Sequence, residues 1–269
     1  MELGFLLLSI VKIVAILAYL YGLLWVLARP NKWIKIAGVI VAFGIIQLAL
    51  TPFGNFSVLN NFDSGLLFQA AAMTMVALGL NLIYGFNGQF SLGQWGFYGI
   101  GAYCSADITY RWVNGDARGL LVVGIGTILG GFVILGISRL VKKVRGIPVL
   151  SAFTLYMIGT LAAAALAVFI GGQINHVLAP ALGTSTNPGP LNSPIAMQVV
   201  FFLAVIFAGI FAAEISYLFG LPVLTLGSDY FGIATLGFTI VVNVLMTNSD
   251  TILPFPEMKG GRGMIGIPK

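Results

Sequence analysis

The side chains able to recognise a solute in this sequence are uncharged, and they cluster. Gly85, Asn87, Gly88, Gln89, Ser91, Gly93 and Gln94 fall in one short stretch. They are poor helix formers or carry amides and hydroxyls that compete with helical hydrogen bonds. No charged residue occurs between Asp63 and Asp107, so the whole interval can lie in hydrocarbon. It is too long for one membrane helix of about 20 residues and fits two. Non-helical backbone is tolerated at membrane depth only where protein or a wet cavity satisfies its amides. A span interrupted by glycine and polar residues therefore points to a translocation site. A tight turn at the membrane surface has the same spacing, and spacing alone leaves both readings open.

Adding Asn81, Gly101, Tyr103, Thr235, Thr239 and Asn243 gives a candidate substrate pathway without charge. Rings of charge suit an ion pore; amides and hydroxyls suit a neutral or zwitterionic solute with an apolar side chain. A carboxylate would sit at the start of a broken helix, where free N–H groups and the dipole favour an anion. A second uncharged break runs from Gly220 to Ser228, and Asp229 and Tyr230 open the span after it. A carboxylate at a helix start caps free amides, so Asp229 is assigned, with Tyr230, to a structural cap. It would repel a substrate carboxylate there, which places the zwitterion near Asn87 to Gln94.

Other chemistry is sparse. Lys12, Asp107 and Glu214 are the ionisable groups within or at the edge of spans, and such groups are functional candidates by default. Asp107 and Glu214 lie near span ends, and Lys12 is long enough to snorkel. His176 falls in an expected external loop, and the single cysteine, Cys104, lies in an apolar run as an inert thiol. The sequence contains no GxxxxGK[ST] loop, no HExxH and no Cys/His metal cluster. No catalytic residue, cofactor or metal ligand is assigned, and an enzyme is not expected.

The elements that must position these residues follow from composition. Hydrophobic residues make up 59% of the 269 and charged ones 8%, against roughly 25% charged in soluble proteins. Mean hydropathy is +1.02. The expected fold is an all-α polytopic membrane protein of about eight transmembrane helices with two Gly/polar-interrupted segments. The spans are 3–28, 36–50, 66–84, 95–110, 119–138, 148–172, 195–219 and 229–247, the first read as a retained helix and not a cleaved signal. Residues 173–194 are expected as a long outer loop and 248–269 as a polar tail. Gly126-x-x-x-Gly130 and the run Ala162 to Ala165 suit close helix packing. Arg29, Lys32 and Lys35 form one basic cluster, and Arg139, Lys142, Lys143 and Arg145 another, four spans apart. The positive-inside rule then puts both in the cytoplasm, the N-terminus outside and both breaks near the cytoplasmic face.

The stretch Gly79 to Tyr103, GLNLIYGFNGQFSLGQWGFYGIGAY, resembles the first signature of permease subunits of branched-chain amino-acid (high-affinity Liv-type) ABC importers. Gly79, Leu80, Asn81, Gly85, Gly88, Ser91, Leu92, Gly93, Phe97, Ile100, Gly101, Ala102 and Tyr103 fall in register. Leu221 to Phe238, LPVLTLGSDYFGIATLGF, is similar to a second family signature, and GGRGMIGIP near the end to a third. The resemblance implies translocation of branched-chain (hydrophobic) amino acids across a bacterial-type cytoplasmic (inner) membrane. It also implies a second related permease subunit, two ATP-binding subunits that hydrolyse the ATP, and an extracytoplasmic substrate-binding protein. A urea or short-amide ABC permease is the nearer alternative, and an ion-coupled secondary transporter the more distant one. The chain reads as a single transmembrane permease domain over 1–269 that lacks the family's C-terminal part, including the loop that docks on the ATPase. The connection between Tyr103 and Gly220 is longer than the family's by about one membrane hairpin, with the extra helices expected within 119–194.

Overall fold

The computed structural model describes residues 2–50, 61–143, 148–184, 187, 189–225, 228–252 and 255–267. Among these it contains nine α-helices and no strand. They are α1 (Glu2–Leu27), α2 (Lys32–Leu50), α3 (Asn61–Asn87), α4 (Gln94–Val113), α5 (Arg118–Lys143), α6 (Val149–Leu182), α7 (Pro194–Val223), α8 (Ser228–Thr247) and the short α9 (Ser249–Ile252). Seven of them are long and apolar enough to cross a membrane. The exception among the first eight is α4, which carries Asp107 and Arg111. It packs on α5, α7 and α8, and its Arg111 is paired with Asp107 and with Glu257.

Contacts group the chain into two units, residues 1–74 and 75–269. In the first, α1 and α2 form a hairpin. Gly38 lets the helices approach closely, since a Cβ there would run into the Val26 side chain. Deeper in the pair, the Tyr19 hydroxyl donates to the Ala42 carbonyl at 3.1 Å. Lys12 does not snorkel to a free end: its ammonium is ion-paired with Asp63 in the first turn of α3. Pairing is the usual way for such charges to persist in a membrane span.

In the second unit α5 and α6 run antiparallel along small residues of α6. A Cβ on Gly159 would meet Val133 at 2.6 Å, and one on Gly171 would meet Val122 at 2.9 Å. Between them Ala163 and Ala167 are buried. Small residues every fourth position let helix backbones pack closely where no hydrophobic effect drives association. Of the run Ala162 to Ala165 chosen from sequence only Ala163 packs here, and the other three are exposed; Gly126 does serve packing, since it faces Ala167. Gly130 instead faces Glu214 of α7.

Two expected boundaries shift. The sixth helix continues to Leu182, so the connection to α7 is about half the length anticipated and His176 lies exposed on a helix, not in a loop. Leu178 and Leu182 lie one turn apart and pack into the core formed by Ile108, Trp112, Ala117, Val200 and Ala204. That burial carries the helix through Pro180, and the Gly183 N–H closes it on the Ala179 carbonyl. Likewise α7 runs through Pro222 to Val223, which shortens the second break. Leu226 and Gly227 of that break, like Pro268 of the third signature and Ser185 in the expected outer loop, lie outside the described residues.

The segment after α8 is no free polar tail. Glu257, 1% exposed, accepts from the Arg111 guanidinium at 2.6 Å. Arg111 also pairs with Asp107 at 2.8 Å and reaches Asp116 at 3.5 Å, and it stacks over Phe255. Met258 forms an isolated bridge with Met264, and the returning segment lays Gly266 against Tyr110 and Gly263 near Tyr103. Burial would raise the Asp116 carboxyl, but hydrogen bonds from Arg118 and the two guanidinium charges hold it below the usual carboxylate range.

Lys12→Asp should lower the thermal stability of the detergent-solubilised protein, and the exchanged pair Lys12→Asp/Asp63→Lys should recover most of it. Arg111→Met leaves three carboxylates together and should cost about 3–5 kcal/mol. Glu257→Gln should instead leave helix content intact and expose the 255–267 segment to limited proteolysis.

Candidate functional site

The break between α3 and α4 covers residues 88–93, narrower than the 85–94 read from sequence. Gly88 has φ +66°, a left-handed conformation that only glycine adopts without strain. It ends α3, its N–H bonded to the Tyr84 carbonyl at 3.0 Å. Gly85 lies inside the helix, exposed, with open space where a Cβ would stand. Neither conformation nor packing requires glycine there.

What holds the non-helical strand is α8. The Leu92 N–H donates to the Thr235 hydroxyl at 3.0 Å, and the Thr239 hydroxyl donates to the Leu92 carbonyl at 2.7 Å. The two threonines are one turn apart on one face of α8. Ser91 and Thr235 are both buried, and the Ser91 hydroxyl accepts from the Gly93 N–H at 3.3 Å. Each buried peptide group left without a partner would cost about 1–3 kcal/mol, so these hydroxyls substitute for the missing helical bonds.

Beyond the break, α4 stays pressed on α8 through glycines. A Cβ on Gly93 would meet Thr235 at 3.3 Å, on Gly96 the Phe238 ring at 2.8 Å, and on Gly99 the Met246 sulfur at 2.9 Å. The contacts advance in the same direction on both helices, so α4 and α8 run parallel. Phe97, Phe219 and Phe238 from α4, α7 and α8 stack beside the break, with ring centroids 4.4 to 6.5 Å apart. Aromatic side chains thus close this side of the seam.

Of the residues chosen from sequence, Ser91, Gly93 and Thr235 come together here. Gln94 opens α4, and its amide oxygen lies 3.3 Å from the Cβ position of Gly79 on α3. Asn81 is exposed on α3, and Gln89 is half-buried within the break. Asn87 is the last residue of α3, and its side chain lies outside the described residues. Gly101 packs against the Ala208 carbonyl of α7 and Tyr103 against the Gly263 region, both away from the break. Asn243 is exposed on α8, two turns beyond Thr235. The eighth helix opens at Ser228, which puts Asp229 within its first turn; the Asp229 side chain lies outside the described residues, and Tyr230 is exposed. Sequence reasoning overlooked Gly96 and Gly99, whose three-residue spacing from Gly93 marks a single helix face.

At its start, α4 has Gly93 in the N-cap position with no side-chain cap bond. A helix N-terminus without a capping side chain presents amides and a positive dipole end to an anion.

Residues 63–175 match the family described as branched-chain amino acid transport system / permease component. This span holds α3, the break, α4, α5 and most of α6; the signatures at 221–238 and 260–268 lie beyond it. The chain is also 42% identical over 62 residues to the high-affinity branched-chain amino acid transport system permease protein LivM of Escherichia coli (strain K12). That alignment covers 23% of this chain and 13% of the relative's length. No solved structure matches the chain. The family match therefore rests on residues 63–175, less than half of the sequence, and these contain the break.

The bracing predicts an order of effects. Thr235→Val and Thr239→Val should each destabilise the protein by about 1–3 kcal/mol, and Gly96→Leu should disrupt the α4–α8 contact more severely. Gly85→Ala should be neutral or slightly stabilising. Thermal unfolding of the purified variants, followed by tryptophan fluorescence, reads all four.

Proposed function

We propose that this chain is a transmembrane permease subunit of an ABC importer and translocates branched-chain amino acids, with the 88–93 break on the substrate path. The observation that carries the reading is the family match over residues 63–175, centred on a braced, glycine-dependent interruption between two helices. Its chemistry fits a zwitterion with an apolar side chain. The uncapped start of α4 receives the carboxylate, the amides of Gln89 and Gln94 supply neutral polar contacts, and no charge among the described residues of the break competes with it.

In this reading ATP is hydrolysed by two partner subunits, a second permease completes the channel, and an extracytoplasmic protein delivers the substrate. The chain sits in the cytoplasmic membrane with its N-terminus outside and the basic ends of α1 and α5 in the cytoplasm. Parallel packing of α4 and α8 fits that arrangement, because an even number of helix reversals separates them. The Lys12–Asp63 pair is compatible with it, since it joins the N-terminal half of α1 to the first turn of α3, two helices that start on one side.

Cellular uptake of radiolabelled leucine, isoleucine and valine tests the proposal. Gly88→Val should abolish uptake while membrane insertion persists, and Gly85→Ala should leave it unchanged. Excess urea or acetamide should not compete, and deleting the partner ATPase should eliminate transport. Uptake that survives Gly88→Val, or that follows a sodium or proton gradient without ATP, contradicts the reading.

A further inference from the structure

Between α1 and α2 lies a crevice of about 310 Å³, lined by Ala18, Tyr19, Gly22, Val26, Gly38 and Ala42 among others. This volume is at the lower end of the range for small-molecule sites, about 300–1,000 Å³. Its walls are almost wholly apolar. From Ala18 to Val26 it runs about 12 Å along α1 at 1.5 Å per residue, close to the roughly 15 Å depth of one hydrocarbon leaflet. Gly22 faces open space: a Cβ there meets nothing within 4 Å. The helices touch at Val26–Gly38 and at Tyr19–Ala42, so the hollow is bounded at both ends.

The end nearest the α1–α2 connection is strongly basic. Arg29 holds its guanidinium 4.0 Å above the ring of Trp25, which itself lines the crevice. Lys32 and Lys35 follow on the first turn of α2. No Asp or Glu occurs between Glu2 and Asp63, and Asp63 is paired with Lys12 near the opposite end of α1. At the mouth of an apolar slot about one leaflet deep, the α1–α2 connection therefore offers three cations with no acidic residue between Glu2, at the far end of α1, and Asp63.

We propose that this crevice binds an anionic phospholipid, with an acyl chain along Gly22 and Ala18 and the phosphate held by Arg29, Lys32 and Lys35. The ligand's two chemistries match the two parts of the site. An apolar chain fills the slot, and the negative headgroup meets the basic cluster at interfacial depth, where each such residue is worth about fivefold in affinity. The Arg29–Trp25 stack fixes one cation over the slot's rim, the position a phosphodiester joined to that chain must occupy. A membrane-facing crevice with only apolar walls would select no headgroup; the cations make it selective.

The test uses the full chain extracted from membranes containing phosphatidylglycerol and phosphatidylcholine, with retained lipid identified by native mass spectrometry. The wild-type protein should retain phosphatidylglycerol preferentially. Arg29→Gln should lower that preference about fivefold, and the triple Arg29→Gln/Lys32→Gln/Lys35→Gln variant should remove it. Gly22→Leu projects a side chain into the slot from a position where a Cβ meets nothing within 4 Å, and should release lipid of either headgroup while the protein's melting profile stays cooperative. Retention that ignores headgroup charge overturns the proposal, as does lipid that stays bound in Gly22→Leu. A second protein crosslinked through Gly22→Cys, with no lipid retained, would assign the crevice to a partner helix instead.

Discussion

A peptide group inside a membrane protein must be hydrogen-bonded, and at Leu92 both halves of that requirement are met by side chains of another helix. Thr235 accepts from its N–H and Thr239 donates to its carbonyl. Everything distinctive about the second unit is arranged around this exchange. A chain that leaves helical geometry at Gly88 and resumes it at Gln94 needs a partner close enough to reach its backbone. The glycines at 93, 96 and 99 supply that closeness by removing the side chains that would hold α8 away.

The same contacts set direction. Because α4 and α8 meet in register along their lengths, the two helices run parallel, and the intervening α5, α6 and α7 supply the reversals between them. Small residues along α6 hold α5, and α7 covers α4 from the other side with Ala204 and Ala208 buried. At the far end the Arg111 cluster draws the last segment back over α4, burying Glu257. The unit is thus fastened at two levels: by uncharged hydroxyls at the break, and by an ionic cluster where α4 ends. Charges are absent from the described residues of the break itself.

Much of this was legible in the residues. The interruption announces itself through Gly88, Ser91 and Gly93 because non-helical backbone needs permissive conformations and hydrogen-bonding neighbours. Residue size pointed to packing at Ala162–Ala165, but only Ala163 lies on the face that meets α5; the seam repeats every fourth residue, at 159, 163, 167 and 171. Gly85 misled because a glycine in an exposed helix has the same composition signal as one in a turn. The extension of α6 to Leu182 was hidden because it depends on Leu178 and Leu182 meeting a core assembled from three other helices. Glu257 was hidden for a similar reason: in sequence it belongs to a polar tail, and only the fold brings Arg111 to it. Asn243 lies two turns beyond Thr235 but is exposed where Thr235 is buried, and an uncharged list cannot make that distinction.

The claim at the centre of this account is that α8 hydroxyls satisfy the broken backbone at Leu92. Amide hydrogen exchange in the membrane-reconstituted protein measures this at the residue concerned. The account predicts that the Leu92 N–H is protected in the wild type although it lies in no helix, and that Thr235→Val speeds its exchange about fivefold or more, the equivalent of a bond worth about 1 kcal/mol. Exchange at Leu92 as fast as in an unstructured loop, or unaffected by Thr235→Val, would contradict it.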